Sequence, residues 1–325
     1  MGGRPTVAIL GTRYEDFAIE EETLAPLGVR IVSGEGGSPA DILAVAAGAA
    51  VVLAGSRPRF TDEVLAGLSC RGIVRYGVGV DSVDLDAARR RGIAVARVSD
   101  YGAEAVAFHA VAMAAAQLRR LAEADRAVRA GRWGFADLRP MHEPSRLVAG
   151  IIGYGRIGRR SAALLRGLGM RVVAHDPYAR VRDVPALSLV DLLRGSDVVL
   201  LHAPAHPDGR PLLDAAALAH MRPGSVLVNT ARGSLVDLAA LADGLRRGRP
   251  GRAALDVYPQ EPPDLAVLAD VAGRVLFTPH MAWYTEQSEA DLRRKAAFLQ
   301  TFASRANCQD LPVHRSGPSG VGPAR

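Results

Sequence analysis

The chain of 325 residues is poor in several things, and each shortage narrows what it can be. It has two cysteines, Cys70 and Cys308, with no CxxC pair and no metal-ligand spacing. That excludes a disulfide framework, gives no zinc motif, and fits a reducing cytoplasm. No apolar run reaches the ~18–20 residues that a membrane helix needs. The longest, Ile42–Gly55, is interrupted by glycine and reads as the end of a helix followed by a buried strand. The start, MGGRPTVAIL, runs directly into a strand and lacks the zones of a signal peptide. Lysine is almost missing: of 40 basic residues only Lys295 is one. The arginines give a net charge of +6 but are scattered, in short clusters such as ARRRG (88–92), so they read as solvated helix ends and loops rather than a nucleic-acid stripe.

What is present is alternation. Apolar runs TVAIL (6–10), VRIVS (29–33), AAVVLAG (49–55), GIVRYGV (72–78) and IAVARVS (93–99) are separated by amphipathic stretches. The pattern restarts near Arg146 with six further runs, RLVAGIIG, RVVAHD, DVVLLHA, SVLVNTA, RAALDVY and RVLFTPH. Continuous apolar strands between helices imply parallel sheets covered on both faces. The expected fold is α/β, with two doubly wound parallel-sheet domains. A helical stretch, Glu104–Trp133, lies between the halves and reads as one long helix capped near Gly131. A last helix, 286–305, can return to the first domain. The expected division is 1–100 plus 286–308 as one domain and 101–285 as the other. The Pro-, Gly- and Ser-rich tail, 309–325, is expected to be disordered.

The second half opens with a glycine fingerprint. GYGRIG, spanning Gly153, Tyr154, Gly155, Arg156, Ile157 and Gly158, follows a strand and starts a helix. Its glycines permit a tight turn, a close backbone approach to pyrophosphate, and helix–strand packing. The helix N-terminus offers N–H groups to the anion. Asp176 ends the next strand, where a carboxylate accepts from ribose hydroxyls and repels a 2′-phosphate, so NAD is favoured over NADP.

Three strand ends then carry polar side chains: Arg232 after SVLVNTA, Asp256 to Glu261 after RAAL, and His280 after RVLFTP. Carboxyl ends of such strands form the ligand crevice. The three types suit hydride transfer to a 2-oxo acid. Arg232 can clamp a carboxylate, and His280 can donate a proton to the forming alkoxide. Glu261 can hold the imidazole and favour its protonated form. His202 closes the strand VVLLH near the cofactor, while His109, on an apolar helix face, reads as core.

At these residues the sequence resembles the D-isomer-specific 2-hydroxyacid dehydrogenases, over RYGVGVDSVDLDAARRRGIAV, GIIGYGRIGRR, SDVVLLHAP, MRPGSVLVNTARGSLVD, ALDVYPQEP and TPHMAWYT. The resemblance implies a Rossmann NAD-binding domain and a smaller flavodoxin-like substrate domain. It implies a catalytic trio of Arg232, Glu261 and His280, and Asp256 holding the nicotinamide carboxamide. Cofactor contacts would also come from His202, Ala203, Pro204, Thr230 and Ala231. The substrate carboxylate would meet the backbone N–H groups of Val78 and Gly79, and the assembly would be a homodimer. HMAWYT and VRYGVGVDSVD resemble the branch of the C-terminal-binding proteins, in which Arg75 would reach the substrate and Trp283 would wall the pocket, with Tyr76 and Tyr101 nearby. That branch includes corepressors, so an NAD(H)-sensing scaffold is the rival expectation, and a phosphonate-type dianion is a second one for the substrate. Phe108 stands where relatives carry an acid, Ala205 and His206 replace a usual Leu-Thr, and Ser82, in place of a common Asn, is expected to cap the following helix.

Overall fold

A computed structural model describes residues 4–206 and 208–305; the tail 309–325 and Cys308 lie outside the described residues. The chain divides into two compact units, one of the residues up to Tyr101 together with those from Glu286 onward, the other Gly102–Thr285.

In the first unit five strands, β1 (Thr6–Leu10), β2 (Arg30–Gly34), β3 (Val51–Ala54), β4 (Gly72–Arg75) and β5 (Ala94–Arg97), form one sheet in the order β2-β1-β3-β4-β5. Every pairing is parallel. This is the flavodoxin-like doubly wound order. Val7–Leu10 and Val51–Ala54 are buried along their whole length, which explains their continuous apolar sequence: helices cover both faces. Local signals start those helices. Ser38 and Asp41 form a reciprocal capping box before Pro39–Ala46. Asp84, not Ser82, caps Leu85–Arg90, because its carboxylate accepts from Ala87 N at 2.8 Å. Ser82 Oγ is buried without a hydrogen-bond partner.

The helix Glu286–Arg305 belongs to this unit and packs on Ala18–Leu24, β3 and β4. Its Arg293 holds Glu20 through Nη2–Oε2 at 2.7 Å and Nε–Oε1 at 3.1 Å, and both residues are buried. Tyr76 donates its hydroxyl to the same Glu20 at 2.9 Å and packs edge-on to Tyr14.

In the second unit β6 (Val148–Ile152), β7 (Arg171–His175), β8 (Val198–Leu201), β9 (Val226–Asn229), β10 (Arg252–Leu255) and β11 (Val275–Phe277) lie in the order β7-β6-β8-β9-β10-β11, again all parallel. An isolated parallel bridge, Ala174–Ala186, adds a single residue of pairing outside β7. The sheet reverses between β6 and β8, which is where a doubly wound sheet opens its ligand crevice. Two apolar clusters fill the two faces of this sheet.

The single long helix expected over Glu104–Trp133 is two: Ala103–Leu118 and Leu121–Arg129. The chain breaks at Arg120, whose φ is 52°. The cause is tertiary. Gln117, buried at the end of the first helix, donates Nε2 to the carbonyl of Ala253, and the turn lets Glu123 of the second helix pair with Arg252. Gly131, at φ 72°, follows the second helix, as its capping role requires.

Candidate functional site

The glycine loop leaves β6 at Ile152. Gly153 has φ 91°, and a Cβ there would stand 2.5 Å from the backbone of His202, so only glycine fits. A Cβ on Gly158 would lie 2.1 Å from Gly153 O, which fixes how closely helix Arg156–Gly167 meets the strand. At Gly155, the N-cap of that helix, nothing lies within 4 Å of a Cβ. The loop is closed where helix and strand meet and open where a phosphate would sit. Arg156 is exposed and Ile157 half-buried at the helix start, where the first N–H groups have no intrahelical acceptor. Tyr154 is engaged within the unit. Its ring is fully buried, its hydroxyl donates to Asp183 at 2.9 Å, and its N–H is taken by Asp176 at 2.7 Å.

Asp176 stands at the end of β7. Its oxygens accept from Tyr154 N and, at 2.8 Å each, from Tyr178 N and Ala179 N. Burial alone would raise its pKa, but the three backbone donors outweigh it and hold the carboxyl below its usual range. An ionised group is thus fixed at the end of β7.

Across β8 and β9 two buried polar atoms have no hydrogen-bond partner: His202 Nδ1 and Thr230 Oγ1. The residues just before them, Leu201 and Asn229, are register partners, so the two orphans flank one point of the crevice. Such atoms are costly to bury alone, and they suit a polar ligand lying over the strand ends. His202 Nε2 is 2.9 Å from Ser161 Oγ, and burial pushes the imidazole pKa down to about 4, so it is neutral. Ala203 is half-buried and Pro204 exposed. Ala231 N is taken by Asn229 Oδ1 at 3.1 Å, while Asn229 Nδ2 donates to Arg232 O at 2.8 Å. Asn229, unremarked in the sequence, is therefore the clamp that shapes the Arg232 turn. Its signal was its place in the NTARG segment. Arg232, half-buried, donates Nη1 to Ala231 O at 2.7 Å.

β10 and β11 deliver the remaining side chains. His280 Nδ1 lies 2.7 Å from Glu261 Oε2, and Glu261 Oε1 accepts from Tyr258 N at 3.2 Å. His280 has φ 51°, a left-handed conformation that non-glycine residues rarely adopt. Strain of this kind persists only where surroundings impose it. Here the imposing residue is Asp256. Its backbone carbonyl accepts His280 N at 2.8 Å, and its carboxylate accepts Met281 N at 2.9 Å, Ala282 N at 3.0 Å and the Thr278 hydroxyl at 2.6 Å. Asp256 is 0% exposed. The group lies behind the histidine turn and holds it.

His109 also differs from expectation. It is half-buried rather than core, and its Nε2 stands 3.3 Å from Thr278 Oγ1 and 3.7 Å from Asp256 Oδ1. No local spacing marks it, because the contact joins residues 169 apart in sequence. Trp283 is half-buried and packs edge-to-face on Tyr284.

The other candidates belong to the first unit. Arg75 ends β4 and donates Nη1 to Ala54 O at 3.3 Å and to Tyr76 O. Val78 is exposed and Gly79 half-buried. Tyr76, expected beside a pocket, is buried against Glu20 and Tyr14.

Residues 111–282 match the family described as D-isomer specific 2-hydroxyacid dehydrogenase, NAD binding domain. The chain is 39% identical over 258 residues to a (S)-sulfolactate dehydrogenase of Chromohalobacter salexigens, covering 77% of this chain and 82% of that protein. It is 36% identical to a D-3-phosphoglycerate dehydrogenase of Mycobacterium leprae, covering 83% of this chain and 52% of that one; it spans about half the length of the phosphoglycerate dehydrogenases it matches. A solved D-lactate dehydrogenase from Aquifex aeolicus, complexed with NAD and lactic acid, superposes with a TM-score of 0.80 at 27% identity, over 91% of this chain and 94% of that one.

Proposed function

Because the chain belongs to the D-isomer-specific 2-hydroxyacid dehydrogenases, with that family's NAD-binding domain, we propose that it reduces a small 2-oxo acid to the 2-hydroxy acid. The observation that carries the reading is the His280–Glu261 pair, held in a strained turn at the end of a strand. A histidine satisfied as core needs neither the strain nor the carboxylate.

Bound NADH supplies the hydride, and the balance is 2-oxo acid plus NADH plus a proton to 2-hydroxy acid plus NAD. The chain's own residues do the rest. Asp176 accepts from the ribose, and the orphaned His202 Nδ1 and Thr230 Oγ1 gain partners from the cofactor. Arg232 clamps the substrate carboxylate and polarises the neighbouring carbonyl; Arg75 and the N–H groups of Val78 and Gly79 are the first unit's substrate contacts. His280 gives the proton: its N–H bond breaks as the alkoxide O–H forms. Glu261, through Nδ1, orients the imidazole and balances its charge. Trp283 walls the pocket. In the reverse direction neutral His280 is the base.

The HMAWYT segment supports a place near the C-terminal-binding-protein-like branch. The reading takes the protein as a cytoplasmic homodimer. Cys70 is a buried free thiol, and the second unit leaves Trp133 92% and Phe135 63% exposed, surface that a second subunit would cover.

The test is NADH consumption by the full chain across a panel of 2-oxo acids. His280→Ala should lower kcat by about 10²–10⁴ with NADH binding, followed by fluorescence, intact. Full activity in the variant would overturn the role of His280. A wild-type chain that binds NADH, turns over no acid and binds a protein partner differently with NADH would favour the scaffold.

A further inference from the structure

The substrate turn of the first unit is flanked by two guanidinium groups. Arg75 and Arg97 are register partners on β4 and β5, so they stand side by side at the carboxyl ends of adjacent strands and leave the sheet on the same face. Arg75 Nη1 comes within 3.6 Å of where a Cβ on Gly77 would be. Arg97 Nη1 donates to Val78 O at 3.3 Å. The turn Gly77–Gly79 thus has a cation against each side.

Arg97 differs from the ion-paired arginines of this unit and, among those without a carboxylate, is the one that lies on the turn. Arg57 is paired with Glu35, Arg89 with Asp86, and Arg90 and Arg91 with Asp62. Among the described residues Arg97 has no carboxylate within ion-pair distance, and its recorded partner is one carbonyl. Asp100, three residues on, is taken by Lys295 at 3.1 Å. A guanidinium carries five donors, so Arg97 is held on the turn by one and keeps the others for something else. A single carboxylate, already served in the proposed reaction by the two backbone N–H groups of this turn, does not need it.

We propose that Arg97 binds a second anionic group, so that the substrate is a 2-oxo or 2-hydroxy acid bearing a sulfonate, phosphate or further carboxylate beyond C2. This rests on the dehydrogenase reading above and adds a residue to it. Three oxyanion chemistries satisfy the same fork, and the assay separates them.

The full chain is assayed with NADH against pyruvate and glyoxylate, which carry one anionic group, and against sulfopyruvate, 3-phosphohydroxypyruvate and oxaloacetate, which carry two. The expected result is a kcat/KM at least about tenfold higher for one of the latter three, since a charge-assisted hydrogen bond is worth that much or more. Arg97→Ala should lower kcat/KM for that acid about tenfold further than for pyruvate, chiefly through KM, and Arg97→Lys should recover part of the difference. Wild-type preference for the monoanions overturns the proposal. So does an Arg97→Ala variant that loses both classes equally, which would mark Arg97 as a brace for the Val78 carbonyl. If no acid of either class is reduced, the dehydrogenase reading falls and the proposal with it; if monoanions alone are reduced, only the proposal falls.

Discussion

Glu261 Oε2 accepts from Nδ1 of His280 at 2.7 Å, which leaves Nε2 as the nitrogen free to face a substrate. Burial would raise the Glu261 pKa, but the hydrogen bond and charge of His280, then Tyr258 N and the charge of Arg232, bring it below its usual value. The carboxylate is therefore ionised throughout the neutral range. It loses its charge only as pH falls through that lowered value. Glu261→Gln keeps an acceptor and deletes the charge. We expect kcat for oxo-acid reduction to fall by about one to two orders of magnitude, because a neutral amide no longer makes the charge-assisted bond that orients the imidazole. A pH–rate series on both proteins reads this directly. An unchanged rate at pH 8 would remove Glu261 from the mechanism.

Behind that pair, Asp256 ties Thr278, Met281 and Ala282 to the end of β10. Thr278→Val removes one donor to a buried carboxylate and should cost about 1–2 kcal/mol in urea denaturation. Asp256→Ala strands two backbone N–H groups and a hydroxyl, and should cost more, about 3 kcal/mol or above. Both should lower kcat, since the left-handed turn at His280 is imposed from here. Equal stability in the two variants would show that the backbone bond from His280 N to Asp256 O carries the turn alone.

The alternation of apolar runs carries both sheets, because a strand covered on two faces must be apolar at every position. The fingerprint is legible for the same kind of reason: Gly153 and Gly158 are forced by contacts a few residues away or by the adjoining strand. Arg232, Glu261 and His280 follow three strands in succession, so local pattern alone sets them at one sheet edge. What the pattern could not carry is what depends on distant partners. The break at Arg120 is made by Ala253 and Arg252, more than a hundred residues away. Asp256 sits in a strand-end motif that looks ligand-facing, and only the fold turns it inward. His109 lies on a helix face whose neighbours in sequence are apolar, and its polar partner comes from β11 and its turn.

His202 offers a pH test inside the second unit. Burial lowers its pKa from 6.5 to about 4. Between these values the unfolded chain binds a proton that the folded chain does not, so this residue's stabilisation is complete above pH 6.5 and is lost as pH falls towards 4. The wild-type urea midpoint should therefore drop through that window. In His202→Gln, which can keep the bond to Ser161, the slope should be shallower by about one proton. Parallel slopes would mean that the imidazole protonates freely in the folded state.

The Glu20–Arg293 pair binds the C-terminal helix to the first unit, with both charges out of water and with Tyr76 and Asp16 as further partners. A buried pair is expensive to break and cheap to replace. Glu20→Leu leaves the buried guanidinium only the exposed Asp16 as a carboxylate partner and should destabilise by about 3 kcal/mol; Arg293→Met leaves the buried carboxylate only the Tyr76 hydroxyl as a side-chain donor and should cost at least as much. The double variant removes both charges and should recover most of the loss. Urea denaturation of the four proteins gives the coupling energy. If the double loss equals the sum of the two single losses, the charges do not act as a pair, and the helix is held instead by its apolar contacts, Leu292, Ala296 and Ala297.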